Sequence, residues 1–340
     1  MKIDITTEDK KLSRLTNPGP DDELREILKG TNFEDYKSPL FLAWQLNSAC
    51  NLSCLHCCQE AGHSMPDELS KGQSLDLCRQ IVELDIPYVA ISGGEPLLCP
   101  HLFDVCELIR DKNISLKIET NGELIDKQVA EKLASLKLRS VQISLDGATP
   151  QGHESLRVAG NWKKVISACK MLVECGVNTE VVFVPTQFNI HEIADAIDMA
   201  YSLGAQGFYT GKTMRIGRAA KNWDIICASQ EQYGKFFKIL KEKEAFYGGK
   251  LKIYYYPYDI IEELSYRLES PSASLLVLAN GKVKLAGPLP FVCGDLRKES
   301  LEEVWEKYKK SWKKQEVIDF TRKVIADTRL LAESNKWIEI

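Results

Sequence analysis

The sequence predicts an α/β fold: a partial βα barrel followed by a smaller α+β region. Three observations carry that reading. From about residue 40, short apolar and β-branched runs alternate with stretches of helical period, as in a parallel sheet. Six such strands fall between residues 40 and 210, short of the eight units of a closed barrel. After about residue 220 the rhythm breaks, and a hairpin signal appears instead.

Residues 1–36 read as a polar N-terminal extension, in which Asp21 and Asp22 could cap a short helix running to about Leu28. Residues 37–228 hold the partial (β/α)6 barrel. Its strands are Leu40–Leu46, Tyr88–Ser92, Ser115–Glu119, Ser140–Leu145, Thr179–Val184 and Gly207–Thr210. Several are apolar nearly throughout, as a sheet covered on both faces requires. Its helices are Leu75–Leu84, Leu102–Asp111, Lys127–Leu136, Trp162–Cys175 and Ile190–Leu203, with Gly176 and Gly204 where C-terminal caps belong. Residues 229–340 form the second region. It opens with a helix over Gln230–Glu244 and a strand over Leu251–Tyr256. Leu275–Ala279 and Lys282–Ala286 then flank Asn280-Gly281, a two-residue hairpin signal. A helix starts at about Leu301, capped by Ser300, and a charged helical stretch begins near Gln315.

Apolar residues make up 44% and charged residues 27% of the 340, which excludes a disordered chain. The net charge of −4 argues against a broad nucleic-acid surface, so no nucleic-acid partner is expected. No apolar run approaches the roughly 20 residues of a membrane span, so no membrane is expected either. The start, MKIDITTEDKKLSRL, lacks the apolar core of a signal peptide. The expected location is the cytoplasm, where the 11 cysteines are not a disulfide framework.

Four of those cysteines lie within nine residues, Cys50 to Cys58, directly after the first strand. Three thiols at CxxxCxxC spacing can converge on one centre, and soft thiolates select zinc, copper(I) or iron–sulfur clusters. Structural zinc normally closes with four ligands, and no second CxxC pair is present to supply them. Three ligands on a four-iron cluster would leave one iron open to a substrate or cofactor. The opposing reading, ordinary packed thiols, fits poorly with a polar loop.

Further stretches follow the next strands in order: Ser92-Gly93-Gly94-Glu95-Pro96, Glu119-Thr120-Asn121-Gly122 and Ser144-Leu145-Asp146-Gly147. His153 and Arg157 come shortly after. Together with CxxxCxxC, this set resembles the radical S-adenosylmethionine (SAM) enzymes over about residues 38–220, with Glu154 standing where the family often has Asp. The resemblance implies that Cys50, Cys54 and Cys57 hold a 4Fe–4S cluster and that SAM chelates its open iron. One electron would then cleave the sulfonium and give a hydrogen-abstracting 5′-deoxyadenosyl radical. It assigns Gly93, Gly94, Glu95, Asn121, Ser144 and Arg157 to SAM. Two glycines suit backbone that approaches SAM closely, a buried Glu95 suits a cationic neighbour, and Arg157 suits the methionine carboxylate. His56 would pack near adenine. Cys58 is not an expected ligand, and Cys78, Cys106 and Cys169 read as core.

Gly217-Arg218-Ala219, Asn280-Gly281, Gly294-Asp295-Leu296 and Ser300-Leu301-Glu302-Glu303-Val304-Trp305 are similar to the SPASM/twitch group, whose C-terminal domain usually binds auxiliary clusters. Here Ala286 stands about where the first auxiliary cysteine is expected, and only Cys227 and Cys293 remain beyond residue 220. The reading is a degenerate domain and a single cluster; the alternative is one auxiliary cluster with non-cysteine ligands. Cys293 is a candidate hydrogen donor to a substrate radical, or a packed loop cysteine. Tyr254, Tyr255, Tyr256 and Tyr258 could wall a substrate cleft, or simply pack.

The first functional reading is a radical SAM enzyme acting on a ribosomally made peptide, by epimerisation or cross-linking. The second is a radical SAM enzyme on a small molecule such as a tetrapyrrole or cofactor precursor. A non-catalytic metal-binding protein is the third, disfavoured by the complete motif set. The chemistry class implies a reduced flavodoxin or ferredoxin as electron donor.

Overall fold

The computed structural model describes residues 33–340, apart from positions 111, 113 and 257. The helix expected near Leu28 lies outside the described residues. The six expected strands are β1 (Phe41–Gln45), β2 (Tyr88–Ser92), β3 (Ser115–Thr120), β4 (Ser140–Ser144), β5 (Thr179–Phe183) and β6 (Gly207–Gly211). They lie side by side in that order, all parallel. The series extends at both ends. β7 (Lys252–Tyr256) pairs parallel with β6, and β8 (Ser274–Val277) pairs parallel with β1. Local pattern could not show this, because β8 joins the opposite edge from the strand that precedes it. Beyond β8 come β9 (Lys282–Lys284), antiparallel to β8, then β10 (Phe291–Asp295), antiparallel to β9, and β11 (Ile338–Glu339), parallel to β10. One sheet therefore runs through both regions of the chain.

The hairpin at Asn280-Gly281 is present but wider than a two-residue turn, since Val277 pairs with Val283. Tertiary contacts hold it open: the Asn280 amide donates to Asp67 (3.1 Å), and Leu69 N–H donates to the Ala279 carbonyl (2.8 Å).

Side chains alternate across a strand, and here the two faces differ. Leu42, Trp44, Leu116, Ile118, Val141, Ile143 and Val181 are buried in one core with Leu77, Ile81, Val105 and Ile109 of the flanking helices. The other face is polar where the sequence suggested apolar cover. Lys117, Gln142 and Glu180 are all buried there. The Lys117 ammonium sits 3.2 Å from Glu180 and 4.4 Å from the centre of the Tyr209 ring. Helix starts are set by capping boxes at Ser70/Gln73, Ser229/Gln232, Asp259/Glu262 and Ser300/Glu303. In the C-terminal region Trp305 is fully buried. It stacks on Tyr308 at 5.3 Å and donates from its ring N–H to the Tyr36 carbonyl (2.8 Å).

Candidate active site

The loop after β1 carries Cys50, Cys54 and Cys57, and a long backbone excursion needs partners for its polar groups. It finds them far along the chain. Cys50 N–H donates to the Gly62 carbonyl (2.9 Å), and Leu55 N–H donates to Leu156 (2.9 Å). The Arg218 guanidinium donates to the carbonyls of Cys54 (2.9 Å) and Ala61 (2.7 Å), and Arg218 N–H donates to Cys57 (2.9 Å). The amides of Asn222 and Asn335 donate to the carbonyls of Leu55 and Cys58, each at 3.0 Å. Gly217 is needed where it stands: a Cβ there would overlap the Cys58 carbonyl. The Gly-Arg-Ala stretch thus braces the cysteine loop.

Cys54 is buried, and Cys50 and Cys57 are half-buried. The three thiols lie close enough to act on one another electrostatically. Burial pushes the Cys54 thiol up to about 11, against the pull of Arg157. Burial raises Cys50 as well. The Arg157 guanidinium donates toward the Cys54 sulfur at 3.8 Å, and the Asn121 amide lies 4.0 Å from the Cys50 sulfur. A cation and an amide donor facing the sulfurs suit thiolate ligands, whose charge they would offset. Among the described residues no three His, Cys, Asp or Glu side chains form a single-ion cage.

Asp146 is the hub beneath this loop, and it is fully buried. Its carboxylate accepts from Arg157 Nε (2.7 Å) and from Val184 N–H (2.8 Å), and His56 Nε2 lies 3.4 Å away. Burial alone would raise its pKa, but Arg157 and then His56 outweigh that and hold it below the ordinary carboxylate value. Asp146 N–H donates to His153 Nδ1 (3.1 Å), which assigns the ring proton to Nε2. Burial, with Arg157 adding to it, lowers His153 to about 4; His56 is lowered to about 4 mainly by burial. Both rings are neutral at pH 7.

Among the described residues Glu95 has no cationic partner in direct contact. Its buried carboxylate accepts from Thr120 Oγ (2.7 Å), Asn121 N–H (2.8 Å) and Leu97 N–H (3.1 Å). Glu95 therefore ties the loop after β2 to the loop after β3. Burial raises its pKa, and those three donors oppose the rise. Gly93 and Gly94 answer to protein rather than open space, since a Cβ on either would overlap backbone of Asn47 or Ala49. They allow the loops after β1 and β2 to pack face to face. The Asn121 side chain bridges to Asn51 (2.9 Å) and accepts from Glu123 N–H (3.0 Å). Ser144 ends β4, half-buried.

The structure gathers Cys54 with Arg157 and Asp146 in one hydrogen-bonded group and Cys50 with Asn121 and Glu95 in another, with Cys57 on the same loop and Ser144 ending the strand just before Asp146. Cys293 stands apart on β10. Its thiol, pushed up to about 12 by burial, donates to the Val283 carbonyl (3.5 Å). Its charged neighbours are Glu299, Lys307 and Lys314 rather than the cysteine loop. Sequence reasoning named Arg218 without a role and missed Asn335 and Lys284. The Gly-Arg-Ala stretch signalled the first. Nothing local signalled the other two. Lys284 is buried with its ammonium donating to the Gly287 and Ser334 carbonyls, each at 2.9 Å, and burial lowers it to about 8.

Residues 44–200 match the family model described as the Radical SAM superfamily. The chain is 23% identical over 291 residues to an AdoMet-dependent heme synthase of Methanosarcina barkeri, covering 79% of this chain and 82% of that one. It is 33% identical over 196 residues to the mycofactocin maturase MftC of Mycobacterium ulcerans, covering 56% of this chain. It spans about half (51%) of that maturase's length. The fold is shared with Streptococcus suis SuiB in its complex with the precursor peptide SuiA, at a TM-score of 0.64 and 16% identity, covering 89% of this chain and 76% of that one.

Proposed function

We infer, from the membership of this chain's residues 44–200 in the Radical SAM superfamily, a radical enzyme that modifies a ribosomally made peptide. The superfamily implies a 4Fe–4S cluster and SAM. When bound, the pair supplies one-electron cleavage of a sulfonium and a hydrogen-abstracting radical. Cys50, Cys54 and Cys57 hold the cluster, and Arg157, fixed by Asp146, offsets thiolate charge at Cys54. Gly93, Gly94, Asn121 and Ser144 border the place for SAM, while Glu95 keeps two of the bordering loops in register. His56 and His153, neutral at pH 7, add no charge there. The observation that carries the reading is the three-thiol loop after β1, with Arg157 donating toward the Cys54 sulfur at 3.8 Å and the Asn121 amide 4.0 Å from the Cys50 sulfur.

The peptide assignment draws on the maturase relative and on SuiB, which is solved with a precursor peptide. Epimerisation and cross-linking are the two outcomes considered, with a flavodoxin or ferredoxin as electron donor. Only Cys227 and Cys293 lie beyond residue 220, so a single cluster is proposed and residues 229–340 act as a SPASM-like domain without one. A second reading, a small-molecule substrate of the tetrapyrrole kind, is favoured by the heme synthase relative, which aligns over more of both chains.

The test is anaerobic reconstitution of the wild type and of the Cys50→Ala/Cys54→Ala/Cys57→Ala variant. About four irons per chain in the wild type and none in the variant is the expected result. About four irons surviving in the variant would show an auxiliary cluster. Reduced enzyme incubated with an encoded partner peptide in heavy water should change the peptide's mass; an unchanged mass with every such peptide turns the reading to the small molecule.

A further inference from the structure

The face of the sheet opposite the helix-packed core carries both charge and aromatic rings. Glu119, Gln142 and Glu180 are neighbours in register across β3, β4 and β5, so their side chains share that face. Lys117, two positions before Glu119, shares it as well. Its ammonium lies 3.2 Å from Glu180 and 3.9 Å from Glu119. One ammonium between two carboxylates leaves one negative charge over. Glu180 has the nearer contact and also accepts from the Tyr209 hydroxyl (3.4 Å). The Glu119 side chain is 42% exposed, where those of Lys117 and Glu180 are 7% and 8%. Among the described residues its carboxylate accepts no hydrogen bond, and the Arg139 guanidinium is engaged over the Tyr88 ring (4.9 Å), at the first residue of β2.

Gln142, beside Glu119, is more than nine-tenths buried, yet its side-chain amide has no hydrogen-bond partner among the described residues. The unpaired atoms that the fold seals from solvent do not include that amide, so a ligand can reach it. Tyr209 and Tyr254 stack at 4.4 Å on the same face, both half-buried. The Lys117 ammonium lies 4.4 Å from the centre of the Tyr209 ring, so this aromatic pair already faces a cation. Glu119 stands two residues before Asn121, whose amide lies 4.0 Å from the Cys50 sulfur. It is also close enough to Cys58 to act on that thiol electrostatically. We propose that Glu119 and Gln142 bind a basic side chain of the substrate peptide, lysine or arginine, with the Tyr209–Tyr254 pair as the neighbouring wall. The carboxylate takes the ammonium or guanidinium in a charge-assisted bond, and the Gln142 carbonyl oxygen accepts a second N–H. An anionic group would meet the surplus negative charge, and a neutral one would leave it unbalanced. The proposal rests on the peptide reading above and deepens it, by naming the class of residue recognised beside the cysteine loop.

The experiment titrates full-length, cluster-loaded protein with N-acetyllysine N′-methylamide, read by saturation-transfer NMR on the probe's methyl groups. The norleucine analogue, which lacks only the ammonium, and the glutamate analogue are the comparators. The lysine probe should saturate and bind about tenfold tighter than either, the worth of one hydrogen bond to a charged group. Its affinity should fall as salt is raised. Glu119→Gln should weaken it about tenfold. Gln142→Leu should weaken it severalfold and stands in should Glu119→Gln fail to fold. Equal binding of the norleucine analogue, no saturable lysine binding, or unchanged affinity in both variants would each overturn the proposal. SAM cleavage and the mass of an encoded partner peptide are measured with the same reduced wild type. Cleavage and peptide modification without lysine binding sink this site alone. Lysine binding with no peptide modified sinks the peptide reading, and absence of cleavage sinks the enzyme reading.

Discussion

The two ends of the sheet use burial differently. Above β1–β4, buried side chains are charged or polar and paired: Asp146 with Arg157, Glu95 with three donors, the cysteine loop with Arg218. Around β10, beside the buried and charged Lys284 and Asp295, Cys293, Val304, Trp305 and Tyr308 form an apolar cluster closed by aromatic stacking. Apolar packing is tolerant of repacking and has no direction. A buried charge network is directional, and removing one member strands the others. The contrast separates a part of the molecule that holds chemistry in place from a part that holds the fold together.

Four substitutions sharpen that contrast, in falling order of effect. Asp146→Asn strands the buried Arg157 and should cost about 3–5 kcal/mol. Urea unfolding and iron content should fall together; retained iron would show that Arg157 does not depend on Asp146. Trp305→Ala should cost about 3–5 kcal/mol through cavity formation, yet leave iron per chain near the wild-type value. Loss of iron in this variant would erase the distinction between the two ends.

The third is a pH effect. His153 is lowered from 6.5 to about 4, so the unfolded chain binds the extra proton between those values. Its contribution is full above about pH 6.5 and is lost as pH falls toward 4. Between pH 7 and 4.5 that amounts to about 2–3 kcal/mol. In His153→Gln the acid limb of a stability–pH curve should be shallower by that amount, and an identical limb would reject the assignment. The fourth and smallest is Asn335→Ala, which removes the donors to the Cys58 carbonyl and Glu60. A loss of about 1–2 kcal/mol is expected, with hydrogen exchange quickened in the cysteine loop and unchanged around Trp305.

Much of the fold was legible. The strands from Tyr88, Ser115, Ser140 and Thr179 begin where their apolar runs begin, because each run is long enough for one strand and is bounded by turn residues. The cysteine motif and the loops after β2, β3 and β4 were legible because each is contiguous. The reasons behind them were less so. Glu95 was read as a partner for a cation and is bound by protein donors. The close packing of Gly93 and Gly94 on the backbone of Asn47 and Ala49, which their missing Cβ atoms allow, had no local signal.

What the sequence determined by itself was the βα rhythm, the three thiols at the end of β1 and the motif order after the following strands. These depend on neighbours within a few residues, where backbone geometry dictates which side chains share a face. Tertiary structure alone decided that β7 and β8 extend the parallel sheet at opposite edges. It also decided that Arg218 and Asn335 brace the cysteine loop across 164 and 277 positions of chain. Such contacts form because a buried carbonyl must find a donor, and any segment the fold brings within reach can provide it.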